Sequence, residues 1–445
     1  MKSIGLDIGT TSISAVVLDA QTNRVEKSWT IANPGFIETE HVWEKIQDAD
    51  KTIAAAIELL NEILATRTDI AAIGLTGQMH GIVYINEAGK AVSPLITWQD
   101  ERGNLVGEDG MSVCEAIAKR FQIKAYSGYG LISHLQNIRT NSVPADAVTV
   151  ATIPDYLGMA LTGSLKPVLH SSMAASLGLY DVSTHTWRKD ILAAFGEDGR
   201  ILPRVSTKFE VIGRYRGIPV CNAAGDNQAS FLGSVTNAKE DVLINIGTGG
   251  QLSMLTDHVV EAPEIETRPF NEEAYLAVGS SLCAGRAYAM LAAFMKGCGE
   301  AFGGDTSDVY AVMGKLLATP ACEHPLKVDT RFAGTREHPE HRGSVSGIYT
   351  DNFTPAELVR GVLNGMAQEL LDHYYAMNPG LAVKHKRIIA SGNGMRRNLY
   401  LQQIAAERFG MELALSTQPE EAACGAAMAG LDAVQYRSWK EAVGF

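Results

Sequence analysis

Residues 4–12 read Ile4-Gly5-Leu6-Asp7-Ile8-Gly9-Thr10-Thr11-Ser12, and residues 243–250 read Leu243-Ile244-Asn245-Ile246-Gly247-Thr248-Gly249-Gly250. Each is a short apolar strand carrying one polar Asp or Asn, followed by Ile-Gly-Thr and a tight polar turn. Each runs on into a second alternating stretch: Ile13, Ala15 and Val17 in one, Leu252 and Met254 in the other. That pattern predicts a β-hairpin with a Gly/Thr-rich turn.

The segments that follow also correspond. Apolar residues at Ile53, Ile57, Leu60 and Leu64 have helical spacing over 48–67. The strand Ala71-Ala72-Ile73-Gly74-Leu75 then ends in Thr76-Gly77-Gln78. In the second half, Thr354-Pro355-Ala356-Glu357 combines a capping box with Pro at the first helical position. The helix it opens continues through Leu358, Val362, Met366 and Leu370, and the strand Arg387-Ile388-Ile389-Ala390 ends in Ser391-Gly392-Asn393-Gly394. Hairpin, helix, strand and glycine loop thus occur twice in one order. This predicts a duplicated α/β domain, divided as 1–235 and 236–445, with a longer insertion over 255–350 in the second copy.

The chain has 445 residues, of which 46% are hydrophobic and 20% charged, enough apolar side chain for large cores. Lys and Arg total 38 against 50 Asp and Glu, a formal net charge of −12. Without a basic run, such a chain is a poor binder of nucleic acid. Asp7 interrupts the start before any leader-like apolar run, and no window holds the ~18 uncharged apolar residues of a spanning helix. The six cysteines form no Cys-x-x-Cys pair, so reduced thiols and a cytoplasmic setting are expected, with no membrane partner.

A Gly/Thr turn offers backbone N–H groups and hydroxyls to phosphate oxygens. Residues Gly9, Thr10, Thr11 and Ser12, with Gly247, Thr248, Gly249 and Gly250, are therefore candidate phosphate binders. No Gly-x-x-x-x-Gly-Lys-[Ser/Thr] loop is present, which disfavours the P-loop folds. Asp7, at its strand end, is either a Mg²⁺ holder acting through water or a cap on its own turn. Asp226, on the Gly turn Ala223-Ala224-Gly225-Asp226-Asn227-Gln228, is either a proton acceptor for an attacking hydroxyl or a helix N-cap. Gln78, Met79 and His80, with Trp98, Asp100 and Arg102, suit a polyhydroxylated ligand. The indole would cover a C–H face while the polar groups meet hydroxyls. His80 as a structural histidine and Trp98 as core are the alternatives.

These motifs resemble, collinearly over almost the whole chain, the FGGY carbohydrate kinases of the sugar-kinase/actin/Hsp70 fold. Gly5-Leu6-Asp7-Ile8-Gly9-Thr10-Thr11-Ser12 looks like the first phosphate motif and Asn245-Ile246-Gly247-Thr248-Gly249-Gly250 like the second. Gly77-Gln78-Met79-His80-Gly81 and Trp98-Gln99-Asp100-x-Arg102 look like sugar-site motifs, and Gly225-Asp226-Asn227-Gln228-Ala229 like the catalytic-Asp motif. Ser391-Gly392-Asn393-Gly394-x-x-x-Asn398 looks like the adenosine motif, and Ala423-Cys424-Gly425-Ala426-Ala427 like a small-residue helix beside the nucleotide.

The resemblance implies an α/β fold of two actin-like, ribonuclease H-like domains with an inter-domain cleft. It implies ATP and Mg²⁺, with Asp226 as base and Asp7 on the metal. Gln78, Met79, His80, Trp98, Asp100, Arg102 and Asn227 would meet the sugar. Gly392, Asn393, Gly394, Asn398 and Gly425 would line the nucleotide pocket. Within the family, the sedoheptulokinase branch looks most similar, implying phosphorylation of sedoheptulose at its C7 hydroxyl. Xylulose, ribulose or a polyol is the alternative acceptor, and a filament-forming actin-like ATPase the rival class. A homodimer is a possible assembly. Ser133, His134 and Leu135 stand where the family's first signature usually has Lys and Trp, which implies a reshaped sugar-site wall.

Overall fold

The computed structural model describes residues 1–445. Contacts divide the chain into two compact units. One comprises Met1–Ser234, Arg268–Tyr275 and Gln418–Gly444, and the other Val235–Thr267 and Leu276–Thr417 with the terminal Phe445.

The first unit is built on a six-stranded sheet. In chain order its elements are β1 (Lys2–Ile8), β2 (Ser12–Asp19), β3 (Arg24–Ala32), α1 (Ala49–Ala65), β4 (Ile70–Gly77), α2 (Gly130–Arg139), α3 (Ile153–Thr162), β5 (Val211–Tyr215), β6 (Ile218–Gly225) and α4 (Asp226–Ser234). The strand order is β5-β6-β4-β1-β2-β3. β1 and β2 form the expected antiparallel hairpin, while β4 runs parallel to both β1 and β6. Ile4, Leu6 and Ile8 on β1 are fully buried, as is the apolar run Ala15–Leu18 on β2. Both faces of these central strands are therefore covered, which is why they read as apolar runs rather than clean alternation. Asp48 caps α1 through the Lys51 N–H, consistent with the helical spacing over 48–67.

The second unit repeats the arrangement with β7 (Asp241–Ile246), β8 (Gly250–Thr256), β9 (Ile265–Pro269), β10 (Tyr275–Ser281), α5 (Ala284–Ala301), α6 (Pro355–Met377), β11 (Arg387–Ser391) and β12 (Glu412–Leu415). Its strand order is β9-β10-β8-β7-β11-β12. β7 and β8 are the antiparallel hairpin, and β11 lies parallel to β7 on one side and β12 on the other. β2-β1-β4-β6 and β8-β7-β11-β12 are thus the same four-strand pattern. Thr354 caps α6 as expected by accepting the Glu357 N–H. The Glu357 carboxylate does not complete the capping box. It accepts instead from the Cys322 N–H and from Arg360.

One element departs from the linear division. Helix α7 (Glu421–Ala433), expected in the second half, packs with the first unit on β1, β4 and α4. Its small residues allow the approach. A Cβ on Gly74 would lie 1.7 Å from the Ala426 carbonyl oxygen, and one on Gly5 1.8 Å from that of Ala423. All six cysteines are free thiols. No helix is long and apolar enough to cross a membrane.

Candidate active site

Parallel strands present their carboxyl ends on one side of a sheet, where α/β proteins bind ligands. In the first unit Asp7 stands opposite Thr76, Ile8 opposite Gly77, and Gly225 opposite Gly77. The register therefore brings Asp7, the Gly77-Gln78 turn and Asp226 to one edge. Asp226 is the first residue of α4, and the Asn227 side-chain amide donates to its Oδ1 at 2.5 Å. Its pKa is raised chiefly by burial, opposed by the Asn227 bonds and the charge of Arg268. Asp7 is pushed up to about 7, first by burial and then by the charges of Asp226 and Glu420.

Two carboxyl groups that resist ionising together are suited to a hard cation, whose charge offsets their repulsion. The charge environment of Asp7 is thus one that a Mg²⁺ held by Asp7 would relieve. No trio of Asp, Glu, His or Cys side chains is grouped to ligate a metal. Arg268 and Glu420 were not singled out from sequence. They lie remote along the chain, and no local pattern marks them.

The first Gly/Thr turn is oriented by its carbonyls. Gly9 O accepts from Asn33 Nδ2 at 2.9 Å, Thr10 O from Gln47 Nε2 at 2.8 Å, and Thr11 O from the Asn33 N–H at 3.0 Å. With its carbonyls tied in this way, the turn is of the kind whose N–H groups can meet an anion. Thr10 also joins the two candidate sugar motifs. Its hydroxyl accepts from Trp98 Nε1 at 3.0 Å and donates to Gln78 Oε1 at 3.4 Å. Gln78 Nε2 donates to Gln47 Oε1 at 2.9 Å. The buried Gln47 therefore joins both motifs, a role invisible in its local sequence.

Trp98 is 47% exposed, so the core alternative does not hold for it. An open cavity beside it is lined by Trp98, Gln99, Glu101, Asn104, Ser127 and Gly128, with Lys45 and Asp100. Asp100 is fully buried. Its oxygens accept from the Lys45 N–H, and from the Arg102 N–H, Nε and Nη2, at 2.7–3.0 Å. The Asp100-x-Arg102 motif is thus first an internal clamp that shapes its own loop.

His80 occupies the left-handed region at φ 74°, stacks on Tyr129 with ring centroids 4.4 Å apart, and its Nδ1 lies 2.8 Å from Ser176 O. Met79 is 3% exposed, and its Sδ accepts from Asn227 Nδ2 at 3.8 Å. Ser133, His134 and Leu135 are all fully buried on α2, so any reshaping of the sugar-site wall by them acts from beneath it.

In the second unit, Asn245 at the end of β7 pairs with Ser391 at the end of β11. This sets the 247–250 turn beside residues 392–394, which are not the expected loop but the start of a short helix, Gly392–Arg396. Gly392 has φ 81°, and a Cβ there would meet Ile246 O at 2.4 Å, so both its conformation and its contact favour glycine. Gly285, at the start of α5, packs against Gly247 O, and Arg286 N–H donates to Thr248 O at 2.9 Å. Asn398 is a helix N-cap, accepting from the Leu401 N–H at 3.0 Å. Gly425 has a packing reason of its own, since a Cβ would lie 1.8 Å from Ala229 O.

Comparison with known proteins agrees with this layout. The FGGY family of carbohydrate kinases matches by its N-terminal domain over residues 3–233 and its C-terminal domain over 242–434. The chain is 26% identical to the sedoheptulokinase of Mus musculus, covering 96% of both chains. It is 28% identical to a glycerol kinase of Acinetobacter baylyi, covering 97% of this chain and 90% of that one. It is 27% identical to a xylulose kinase of Lactococcus lactis, covering 96% and 86%. The xylulose kinase structure from Rhodospirillum rubrum superposes with a TM-score of 0.83 at 22% identity, covering 100% of this chain and 92% of that one. With both family domains matched in sequence order over two repeated sheets, the chain belongs to the FGGY family of carbohydrate kinases, which phosphorylate sugars with ATP.

Proposed function

We propose that this protein transfers the γ-phosphoryl group of ATP to a ketose hydroxyl, with sedoheptulose the foremost substrate and sedoheptulose 7-phosphate the product. The observation that carries the reading is Asp226, held at the end of β6 beside Asp7 with its affinity for a proton raised by burial. Phosphoryl transfer needs alignment and charge stabilisation more than covalent help. Asp226 accepts the proton of the attacking hydroxyl. Asp7 would hold Mg²⁺, which when bound neutralises charge on the phosphates. The turns 9–12 and 247–250 bind phosphate oxygens, and Gly392, Asn393 and Gly394 meet the nucleoside. Gln78, Met79, His80, Trp98 and Asn227 meet the sugar, and Asp100 and Arg102 hold the loop that carries Trp98. The expected setting is the cytoplasm, with a homodimer as the assembly to test by light scattering.

The choice of sedoheptulose is supported by the sedoheptulokinases among the curated relatives and by the motif combination at 77–81, 97–100, 127–130 and 225–230. Glycerol and xylulose kinases fall in the same identity range, so the acceptor is decided by assay. The test compares kcat/KM for D-sedoheptulose, D-xylulose, L-ribulose, D-ribulose, D-fructose and glycerol at one Mg·ATP concentration. A longer ketose pairs polar groups that a shorter one leaves buried and unpaired, a difference of roughly 5–150-fold per group. A clear lead for a five-carbon sugar overturns the substrate and leaves the kinase. Asp226→Asn is expected to lower kcat by about 10²–10⁴. Retention of more than about a third of wild-type kcat removes Asp226 from that role.

A further inference from the structure

Beneath the cavity beside Trp98 runs a buried polar chain that none of the motifs describes. Arg102 Nη1 donates to Asn137 Oδ1 at 2.9 Å, and Asn137 Nδ2 donates to the Tyr84 hydroxyl at 3.1 Å. That hydroxyl lies 2.9 Å from His134 Nδ1, and His134 Nε2 lies 3.5 Å from Glu197 Oε2. Tyr84, His134 and Asn137 are 1%, 0% and 4% exposed. The Glu197 side chain, 20% exposed, ends the chain at the surface.

The chemistry of the donors fixes the direction of the first two links. A guanidinium only donates, so Asn137 must turn its carbonyl to Arg102 and its amide to Tyr84. The phenol oxygen then accepts, which leaves its own proton available to His134; in that arrangement Nδ1 is bare and the imidazole proton sits on Nε2, on the side of Glu197. Burial also lowers the His134 pKa, against the pull of Glu197, which favours this neutral form. The loop bearing Trp98 hangs from the same helix by a second route. Ser133 Oγ donates to Ser127 O at 3.4 Å, and Ser127 Oγ donates to Asp100 O at 3.3 Å.

We infer that Tyr84, His134 and Asn137 are positioning residues for the sugar site, holding Arg102 and, through Asp100, the Trp98–Arg102 loop against the sugar. This deepens the proposed function and rests on it for the identity of the ligand. Residues 133–135 then influence the acceptor from inside the core. A buried polar chain is a costly way to fill space, and a unique loop geometry is the use that offsets it.

The test is steady-state kinetics on Tyr84→Phe, His134→Leu and His134→Asn, varying sugar and ATP separately. Asn offers an acceptor near the position of Nδ1, whereas Leu does not. A displacement approaching 1 Å costs up to about 10²-fold, so Tyr84→Phe and His134→Leu are expected to raise the sugar KM by about ten-fold or more. The ATP KM should stay within about two-fold and His134→Asn should return the sugar KM toward wild type. Lower melting temperatures with an unchanged sugar KM in both disruptive variants would overturn the inference, leaving a merely structural chain. Should Tyr84→Phe fail to fold, the His134→Asn and His134→Leu pair carries the test.

If the wild type phosphorylates none of the sugars, the kinase reading fails by itself. The positioning is then read from the NMR signal of the Arg102 Nε–H, assigned with Arg102→Lys. Its loss or shift in His134→Leu and its retention in His134→Asn support the chain, and an unmoved signal in both refutes it.

Discussion

Gly425→Ala separates two roles for one residue. An ideal Cβ at 425 falls 1.8 Å from Ala229 O and 2.9 Å from Ala229 Cα. Both are backbone atoms of α4, so no side chain can swing aside. Real Cβ atoms keep at least 3.0 Å, so the helices must part by about 1.2 Å, the difference between 3.0 and 1.8 Å. α7 cannot retreat freely, because its Ala423 and Ala426 carbonyls already sit against Gly5 and Gly74 of the sheet. Overpacking of this kind costs about 1–3 kcal/mol, and the better helix propensity of Ala returns at most about 1 kcal/mol. The net loss should lower Tm by a few degrees, roughly 2–4 °C per kcal/mol.

α4 begins at Asp226, so the same shift reaches the proposed base. A displacement near 1 Å there lowers kcat by up to about 10²-fold. Calorimetric melting paired with kinetics in varied ATP distinguishes the roles. A melting temperature within about a degree of wild type, together with a raised ATP KM alone, would refute the packing argument and return Gly425 to the nucleotide pocket.

Three further outcomes are expected. Asp155 is 2% exposed, bonded by the Thr152 hydroxyl at 2.5 Å but with Oδ1 unpartnered, and burial pushes its pKa up to about 7. A folded value above the unfolded one gives stability that is fully present below about pH 4 and lost as pH rises to about 7, by roughly 4 kcal/mol at most. Asp155→Asn should therefore flatten the decline of Tm between these pH values, and parallel profiles for the two proteins would refute the assignment. Gln47→Ala leaves Thr10 O and Gln78 Nε2 without their partners; at about 1–3 kcal/mol for such a loss, a drop in sugar kcat/KM is expected, and unchanged kinetics would detach Gln47 from the site. Asp7→Asn removes a carboxylate from the proposed ion site, so the Mg²⁺ concentration for half-maximal rate should rise, and an unaltered Mg²⁺ titration would place the ion elsewhere.

The repeated hairpins were legible because a strand buried on both faces and a tight turn each require particular residues within a few positions. Ile4, Leu6 and Ile8, like Leu243, Ile244 and Ile246, had to be apolar, and the turns after them needed Gly. The same locality made the caps at Asp48 and Thr354 readable, and the motif resemblance extended that reading to Asp7 and Asp226. The partnerships were not legible, since they join residues far apart in the chain. Glu357 spends its carboxylate on Arg360 and the distant Cys322 N–H rather than on its own cap. That Ser133, His134 and Leu135 are core was not legible either, because a helix has a buried side that sequence position alone does not label.

The sequence by itself determined the repeated α/β pattern through short-range constraints on backbone and side chain, and its motifs carried the resemblance to sugar kinases and named the candidate turns and acids. Only the tertiary structure decided that α7 returns to the first sheet, that Asp100 is committed to Arg102, and that Gln47 joins Thr10 to Gln78. Each of these depends on close packing between segments remote in the chain, and a contact of that kind leaves no periodic trace in either partner.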